Sequence, residues 1–476
     1  MKRVYRAHPL MILSLMKPYI LFVVITVLGI VLKYLSGDRI LNTTLISIGV
    51  FAFVLLTAVI RTLCFRLILE EGTITVRKGF LLVKRATIDI SNLASFRTRQ
   101  NPLDVIFRAA TVRINTEAGT KRRPDFEFKL SLKNSRTLTS VLYIDKTESK
   151  VRFSPFKVAI LAAASSSSFT GLFIGVPIIN CASRLLGVGL NRMLFDEINS
   201  VSSKFETYFP PIVNAASLIL IIAYAISFFY TLVKYINFKL YLCESSLVVK
   251  SGFFVRQTTL FKKSAINNVK IVQSPLMMLF RRYSMKVSVG GFSEKRSASQ
   301  IIIPADKHSG IREDLYKYFP FLSNEQEAVI PKRCASVRNR FFFWPTVCLL
   351  TVTIAAIICG LIFTDFGRFI FFLTTVAFSL IVIFAYVGLY GYTRGKLQMG
   401  DSISAQGSKG FTTCELYCSK ENIGQIKITR VFADKKQNTC NVKLIVSSES
   451  ADSISVNHIN FTDAMKQIQN CYNFKE

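Results

Sequence analysis

The stretch INNVKIVQSPL, residues 266–276, decides the fold because the chain contains a related copy of it. At a constant offset of 173 residues it lies over LASFRTRQNPL, residues 93–103, and the match extends without a gap over Leu69–Arg108 and Leu242–Arg281. The identical positions in the two copies include Glu71/Glu244, Val76/Val249, Gly79/Gly252, Phe80/Phe253, Ser91/Ser264, Gln100/Gln273, Pro102/Pro275, Leu103/Leu276, Phe107/Phe280 and Arg108/Arg281. Self-similarity in one register indicates a duplicated structural unit.

A third copy is weaker. Ile423–Ile428 resembles Ile266–Ile271, but at a different offset, and Arg430–Phe432 stands where the second copy has Gln273–Pro275. We therefore expect the third copy to keep the fold and to lose the Gln-x-Pro-Leu turn.

The repeated segments have the pattern of β-strands. Thr73–Val76 and Met285–Val289 alternate apolar and polar residues, and short strands separated by frequent turn signals indicate a sandwich or barrel. Gly79 and Gly252 each precede an aromatic residue, which predicts hairpins with a residue at positive φ. A closing helix is predicted where Phe461, Met465 and Ile468 recur at helical spacing.

Composition points to a membrane protein with basic soluble parts. The chain has 476 residues, is 51% hydrophobic with 40 Phe, and carries a formal net charge of +31. Apolar and basic residues occupy separate stretches, and six nearly uncharged runs approach the roughly 20 residues that cross a bilayer. The predicted spans are Pro18–Leu35, Leu41–Ile60, Phe156–Leu186, Pro211–Val233, Phe341–Phe363 and Phe369–Tyr392.

The flanking charges predict the orientation of these spans. The segments after the second and fourth spans are dense in Lys and Arg, whereas the turns after the first and fifth have only Arg39 and Arg368. The amino terminus and the three polar modules are therefore expected inside the cell. The first run lacks a small-residue cleavage site and is interpreted as a retained helix rather than a signal peptide. Ten scattered Cys suit a reducing compartment.

At this point the residues resemble a known family. A strand is followed by Ser251-Gly252, then by Ile266 to Leu276, and then by a strand that ends in Gly. This order is similar to that in the bacterial pleckstrin-homology (bPH2-type) domains of YdbT- and YdbS-type membrane proteins. Arg6–Leu10 also resembles the beginning of those proteins. The YdbT arrangement consists of three helix pairs, each followed by a domain. The resemblance implies PH-like β-sandwiches with a closing helix, a bacterial inner-membrane location and a YdbS-like membrane protein as a partner.

The expected architecture is therefore six membrane helices in three pairs plus three cytoplasmic PH-like domains. The boundaries are 1–63 for the first pair, 64–155 for the first domain, 156–235 for the second pair with an external loop at 187–210, 236–335 for the second and best-matching domain, 336–392 for the third pair, and 393–476 for the degenerate third domain.

Loop cations are the candidate contacts for an anionic headgroup or a partner protein, since phosphate pairs well with Arg. They are Lys84, Arg85, Lys121, Arg122, Arg123, Lys262, Lys263, Arg281 and Arg282. The same charge can instead serve only to set the topology. The repeat signature adds Gly79, Gln100, Pro102, Leu103, Gly252, Gln273, Pro275 and Leu276.

Nothing in the sequence predicts an enzyme, a cofactor or a metal site. A zinc site from Cys414, Cys418, Cys440 and His458 is a weak alternative to buried strand cysteines. Nucleic-acid binding is disfavoured because the basic residues flank spans. We expect binding of membrane lipids or another protein, in envelope maintenance or in resistance to membrane-active agents, with a transporter or export accessory as the alternative.

Two features of the second predicted helix pair each allow two interpretations. Gly171-x-x-x-Gly175 follows a run of small residues and predicts close helix packing, within the bundle or in an oligomer. In the external loop, Leu194, Ile198 and Val201, with Phe205 and Tyr208, fall on one helical face. That face predicts an interfacial helix or a lid on the bundle.

Overall fold

The structure of the chain is a computed structural model. It describes residues 3–19, 41–70, 72–79, 83–116, 125–142, 147–168, 171–172, 175–176, 179, 183, 189–203, 211–289, 299–323, 327–332, 334–362, 367–409, 411–447 and 452–472. The chain forms two compact units. The first contains the described residues of Met1–Lys150 and Leu240–Ala265, and the second contains those of Val151–Lys239, Ile266–Val289 and Ser297–Glu476.

The elements follow the predicted alternation of helices and short strands. The helices are α1 Met11–Met16, α2 Leu41–Leu63, α3 Pro102–Ile106, α4 Leu132–Leu142, α5 Pro155–Ser165, α6 Leu190–Ser203, α7 Pro211–Tyr235, α8 Pro275–Leu279, α9 His308–Tyr318, α10 Ala335–Ile362, α11 Gly367–Arg394, α12 Phe432–Gln437 and α13 Phe461–Tyr472. The strands are β1 Arg3–Arg6, β2 Arg66–Glu70, β3 Thr73–Lys78, β4 Lys84–Asp89, β5 Leu93–Gln100, β6 Ala109–Thr116, β7 Phe126–Ser131, β8 Thr147–Arg152, β9 Lys239–Cys243, β10 Ser246–Ser251, β11 Arg256–Lys262, β12 Ile266–Gln273, β13 Tyr283–Val289, β14 Ser299–Asp306, β15 Lys396–Met399, β16 Ser402–Lys409, β17 Thr412–Ser419, β18 Ile423–Thr429, β19 Thr439–Val446 and β20 Ser453–Asn460.

The strands form four sheets, and two of them combine consecutive repeats. The first sheet has the order β1-β2-β3-β4, and the last has β18-β19-β20. Between them in sequence are a seven-stranded sheet, β7-β6-β5-β11-β10-β9-β8, and a six-stranded sheet, β14-β13-β12-β17-β16-β15. Each therefore joins the later strands of one repeat to the early strands of the next.

The two joint sheets have the same register. Thr98 on β5 lies opposite Thr258 on β11, and Ile271 on β12 lies opposite Glu415 on β17. Because Thr98 and Ile271 are 173 residues apart, Thr258 and Glu415 occupy equivalent positions.

The first and third repeats each have a hydrophobic core and a closing helix. In the first unit, Leu67 and Val76 pack with Phe96, Val112 and the α4 residue Leu138. In the second unit, β15–β20 enclose a core that includes Leu416 and Val442, which α13 covers with Ala464 and Ile468. The predicted closing helix at the end of the chain is confirmed, and Gly79 and Gly252 have φ of 110° and 98°, as the hairpins require.

Short helices follow β5, β12 and β18. Pro102 and Pro275 are the first residues of α3 and α8, where the missing N–H of proline is tolerated. Left-handed residues then turn the chain into the next strand: Arg108 at φ 51°, Arg281 at φ 50° and Asn438 at φ 54°. The third copy was expected to lose this turn, and that expectation is wrong for its backbone, since α12 and Asn438 retain it without the Pro.

Three helices are long and apolar enough to span a membrane: Ser217–Tyr235 within α7, Ala335–Ile362 (α10) and Leu373–Arg394 within α11. Gly49–Leu63 and Pro155–Ser165 are shorter apolar helices. Most of the first predicted span falls outside the described residues, as does part of the third. The structure therefore supports three spans of the six that the sequence predicts.

Gly171 marks the contact between α7 and the segment after α5. A Cβ atom at Gly171 would lie 1.5 Å from the carbonyl oxygen of Ala223, so only glycine permits this approach. The small-residue motif therefore forms a packing seam within the second helix pair. Leu194 and Ile198 of α6 line an apolar cavity of about 240 Å³ together with Ala223 and Ile226.

Candidate functional site

Four arginines form a row across the first sheet. Arg6 on β1 lies opposite Arg66 on β2, Arg66 lies opposite Arg77 on β3, and Arg77 lies opposite Arg85 on β4. Directly opposite residues of antiparallel strands project to the same face, and neighbouring strands are about 4.8 Å apart. The four guanidinium groups therefore share one face, along a line of about 14 Å. We call this set the arginine row.

No carboxylate among the residues that the structure describes pairs with the arginine row. Arg6, Arg66 and Arg85 are exposed and Arg77 is half-buried. Like charges opposite one another destabilise a sheet, so a bound anion would relieve repulsion along the row. The arrangement has the charge and geometry to hold phosphate or carboxylate groups.

The arginine row lies at the end of the sheet that adjoins the first two helices. Arg6 precedes α1 by a few residues, and Arg66 follows the end of α2 at Leu63. The next row on the same face is uncharged and consists of Val4, Ile68, Thr75 and Thr87. The positive charge is thus concentrated beside the helices.

The later repeats place fewer cations at the equivalent positions. Arg77 and Arg85 correspond, at the offset of 173, to Lys250 and Thr258, which also lie opposite one another. In the third repeat the same pair is Gln406 and Glu415. The pair therefore carries two positive charges, then one, then one negative charge.

Glu415 lies at the centre of a buried hydrogen-bond network in the second unit. Its side chain is only 2% exposed, and the ring of His308 lies 2.6 Å from Oε1. Gln406 and Tyr417 donate hydrogen bonds to its carboxylate over 2.7 and 3.0 Å, and the Arg312 guanidinium lies 3.5 Å from Oε2. His308 and Arg312 both belong to α9, which closes over this face of the sheet.

The network determines the charge of Glu415. Burial by itself would raise the pKa of this carboxyl, but hydrogen bonding and charge from His308, with further help from Arg312, leave the pKa below its ordinary value. The position is therefore occupied by an ionised carboxylate that belongs to the protein itself.

The cations predicted as contacts do not converge on one site. Lys84 and Arg85 lie on β4, where Lys84 is opposite Lys78, and Arg85 ends the arginine row. Lys262 donates a hydrogen bond to the carbonyl of Ser91, and Arg282 lies 3.6 Å from Asp306. The remaining members differ: Lys263 is half-buried, Arg281 is exposed at the left-handed turn, and Lys121, Arg122 and Arg123 lie outside the described residues.

The repeat signature divides into structural and exposed residues. Gln100 is buried and donates a hydrogen bond to the carbonyl of Ala109 over 3.2 Å, which holds the turn against the next strand. Gln273 is buried and accepts a hydrogen bond from Thr413 over 3.4 Å. Leu103 and Leu276, in contrast, are 58% and 41% exposed.

The short helices have an inverted distribution of polar and apolar side chains. In α3 the carboxylate of Asp104 is fully buried and pairs with Lys129 at 2.5 Å, whereas Ile106 is 71% exposed. In α12 the side chain of Asp434 is buried and Phe432 is 73% exposed. In α8 Leu279 is 76% exposed. Apolar surface that is turned outward in this way indicates contact with lipid or with another protein.

Each short helix is held close to the beginning of a helix pair. The backbone N–H of His8, just before α1, donates a hydrogen bond over 2.8 Å to the carbonyl of Lys129, whose side chain pairs with Asp104 of α3. Helix α8 packs against α5. Asp434 of α12 pairs at 2.5 Å with Arg340 of α10, a candidate membrane span.

A further apolar contact comes from the hairpins. Phe411, which follows the β16–β17 turn, packs on Phe384 of α11 with ring centroids 5.9 Å apart. In the second repeat, Phe253 and Phe254 at the equivalent turn are 55% and 60% exposed.

The alternative zinc site is not assembled. Cys414, Cys418 and Cys440 are buried in strands as part of the core, and burial raises the pKa of Cys418 to about 12. His458 instead contacts Asp434 at 3.2 Å. Among the described residues, no group of His, Cys, Asp and Glu could hold a metal ion.

Of the four residues in the arginine row, only Arg85 is among the headgroup or partner contacts that the sequence predicts. The opposition of Arg66 and Arg77 follows from the tight turn at Gly72, which has φ of 79°, and it could have been derived from the strand pattern. Arg6 had no such signal, because 59 residues separate it from its neighbour in the sheet, Arg66.

Comparison with known proteins agrees with this architecture. A family model described as the bacterial PH domain matches residues 19–143 and 186–318, which together are more than half of the chain. A comparison with curated proteins found no match. The two matched segments correspond to the first and second repeats, whose strands and closing helices are described above. The chain therefore belongs to the bacterial PH-domain family.

Proposed function

We propose that this chain is a multi-pass protein of a bacterial inner membrane that binds anionic lipid headgroups through the arginine row. The proposal rests above all on four arginines, separated by up to 79 residues in sequence, that meet on one exposed face of the first sheet. Arginine holds phosphate oxygens in bidentate fashion, and the cytoplasmic leaflet of a bacterial membrane offers such groups in a plane.

Two further observations support a membrane location. Three helices have the length and hydropathy of membrane spans. The inverted short helices expose Ile106, Leu279 and Phe432 beside the helix pairs, where a bilayer interface would cover them. The proposal includes six spans with both termini in the cytoplasm, and these helices support three of the six.

The protein is proposed to act without catalysis, as a binding module in envelope maintenance or in resistance to membrane-active agents. A second membrane protein of YdbS type is the proposed partner. No observation on the described residues favours the alternative of transport.

The test compares two pairs of like-charged residues, each pair lying opposite one another on neighbouring strands. The full chain, purified in a neutral detergent, is titrated with short-chain phosphatidylglycerol and with short-chain phosphatidylcholine. We expect Arg77→Gln with Arg85→Gln to weaken binding of the anionic lipid by about tenfold or more, because two charge-assisted contacts are lost. Binding of the zwitterionic lipid should be weak and unchanged.

The matched control is Lys427→Gln with Lys443→Gln. These exposed lysines lie opposite one another on β18 and β19, so the control removes the same charge from another sheet. Equal losses in the two double variants would show that only net charge matters, and the arginine row would then not be a site.

A further inference from the structure

A polar cavity of about 460 Å³ lies in the first unit, between α4 and the strands β5, β10 and β11. Its lining includes Gln100, Ser135, Arg136, Lys250, Arg256 and Thr258. Three of these six side chains are cationic and none is acidic. Among the described residues, Arg136 and Arg256 form no ion pair with a carboxylate.

The second unit has the same site in a closed form. Helices α4 and α9 each have 11 residues, follow the last strand of their repeat, and carry an arginine as the fifth residue, Arg136 and Arg312. Thr258 and Glu415 are equivalent by the register of the joint sheets. Arg136 with Thr258 therefore corresponds to Arg312 with Glu415.

In the closed form, side chains of the protein fill the space. Glu415 supplies a carboxylate that lies 3.5 Å from the Arg312 guanidinium. Tyr283 occupies the position of Ala110, which lines the cavity in the first unit, and its ring packs against His308 at 4.9 Å. His308 in turn takes the place of Leu132, the first residue of α4.

The open form keeps the arginine and lacks both the carboxylate and the bulky ring. It also adds two cations, Lys250, which lies over the ring of Tyr241, and Arg256. A single carboxylate faces Arg312 in the closed site, so the open site, where Arg136, Arg256 and Lys250 line one cavity, suits an anion of higher charge. Hydroxyl groups of Ser135 and Thr258 are available to donate hydrogen bonds to its oxygens.

We propose that this cavity binds a phosphate group, which takes the place that the Glu415 carboxylate fills in the closed site. The proposal deepens the proposed function, because it names a second site and its ligand chemistry, but it does not use the arginine row. The phosphate comes either from a lipid headgroup or from a soluble phosphate compound.

The experiment measures binding of inorganic phosphate to the full chain in neutral detergent by titration calorimetry. Thr258→Glu installs the missing carboxylate beside Arg136, and we expect it to weaken phosphate binding by about a hundredfold. Thr258→Gln, which has a similar size and no charge, should weaken binding much less. Arg136→Gln, an exposed position that should fold normally, should weaken it by about tenfold.

Competition with short-chain phosphatidylglycerol distinguishes the sources. If the lipid displaces phosphate from the wild type but not from Arg77→Gln with Arg85→Gln, the competition takes place at the arginine row. If it displaces phosphate equally from both, the headgroup itself enters the cavity, and if it displaces phosphate from neither, the ligand is a soluble phosphate.

Absence of phosphate binding to the wild type would overturn the cavity proposal, and so would equal binding by the wild type, Thr258→Glu and Arg136→Gln. Failure of this proposal leaves the lipid titration of the arginine pair untouched, so the two proposals stand or fall separately.

Discussion

Single positions in the sheets decide whether a site is open or closed. At one equivalent position the chain has Arg85, Thr258 and Glu415 in successive repeats. Glu415 is ionised because its neighbours outweigh the effect of burial on its pKa. The charge at this one position therefore differs among the repeats: Arg85 belongs to a basic surface, Thr258 lines a cationic cavity, and Glu415 lies in a buried hydrogen-bond network.

The lowered pKa of Glu415 predicts how the stability of the protein depends on pH. Since its pKa is lowered in the folded protein, its ionisation stabilises the fold above the ordinary value of 4.5, and that contribution is lost as pH falls through the lower, folded value. We expect Glu415→Gln to lower the melting temperature at pH 7, because Arg312 and His308 then face a neutral amide in place of a charged carboxylate. The difference in melting temperature from the wild type should narrow below about pH 4.5.

Thermal unfolding of both proteins in detergent, followed by circular dichroism between pH 7 and pH 3.5, checks this. A gap that stays constant over this range would contradict the role given to ionised Glu415. Glu421→Gln, which changes the same charge on a different part of the chain, is the control.

The short helices show how an element can be conserved while its sequence changes. Helices α3 and α12 share no proline, yet Asp104 and Asp434 each accept a hydrogen bond from the N–H just before the helix, of Asn101 and Val431, over 3.1 Å. This buried carboxylate satisfies an N–H group at the start of the helix. The exposed face of the helix therefore needs no polar capping side chain and can be apolar. The chain therefore forms this turn with two different sequences: the Gln-x-Pro-Leu motif in the first two repeats, and a segment without proline in the third.

The apolar outer face of α8 can be tested by fluorescence. The chain has one tryptophan, Trp344, so Phe280→Trp in a Trp344→Phe background places a single probe next to α8. In reconstituted vesicles we expect a blue-shifted emission maximum and quenching by lipids brominated close to the headgroup, because the side chain lies in the interface.

Tyr316→Trp in the same background is the matched control, since this residue is exposed on the polar helix α9. Its emission should stay red-shifted and unquenched. Identical quenching of the two probes, or of neither, would refute an interfacial position for α8.

At the scale of the whole molecule, the strands that precede and follow each helix pair belong to the same sheet. Strand β1 comes before α1 and pairs with β2, which comes after α2, and Val329, before α10, bridges to Leu397, after α11. Each proposed helix pair is therefore an insertion between two neighbouring strands, and the proposed membrane location then places both ends of the pair on one side of the membrane.

This arrangement predicts the location of the carboxyl terminus. A reporter that is active only in the cytoplasm, fused after Glu476, should be active, and a reporter that requires export should be silent. Fusions after Gly37, in the first predicted outer turn, should behave in the opposite way. A silent cytoplasmic reporter at Glu476 would overturn the orientation.

The sequence by itself determined the repeat, the family and three of the six predicted spans, because each rests on residues that are close in the chain or on a constant offset. Hydropathy, the glycines at the hairpin turns and helical spacing act locally, and they predicted the hairpins and the closing helix at the end of the chain. The third copy was underestimated because its turn uses Asp434 rather than proline.

Only the tertiary structure decided which residues meet. The arginine row depends on pairing β1 with β2 across an intervening helix pair, and the cavity depends on pairing β5 with β11 from the next repeat. A slip of one residue in either pairing would move these side chains to the opposite face. Register between distant strands is set by packing of the whole core, and no local pattern in the sequence carries it.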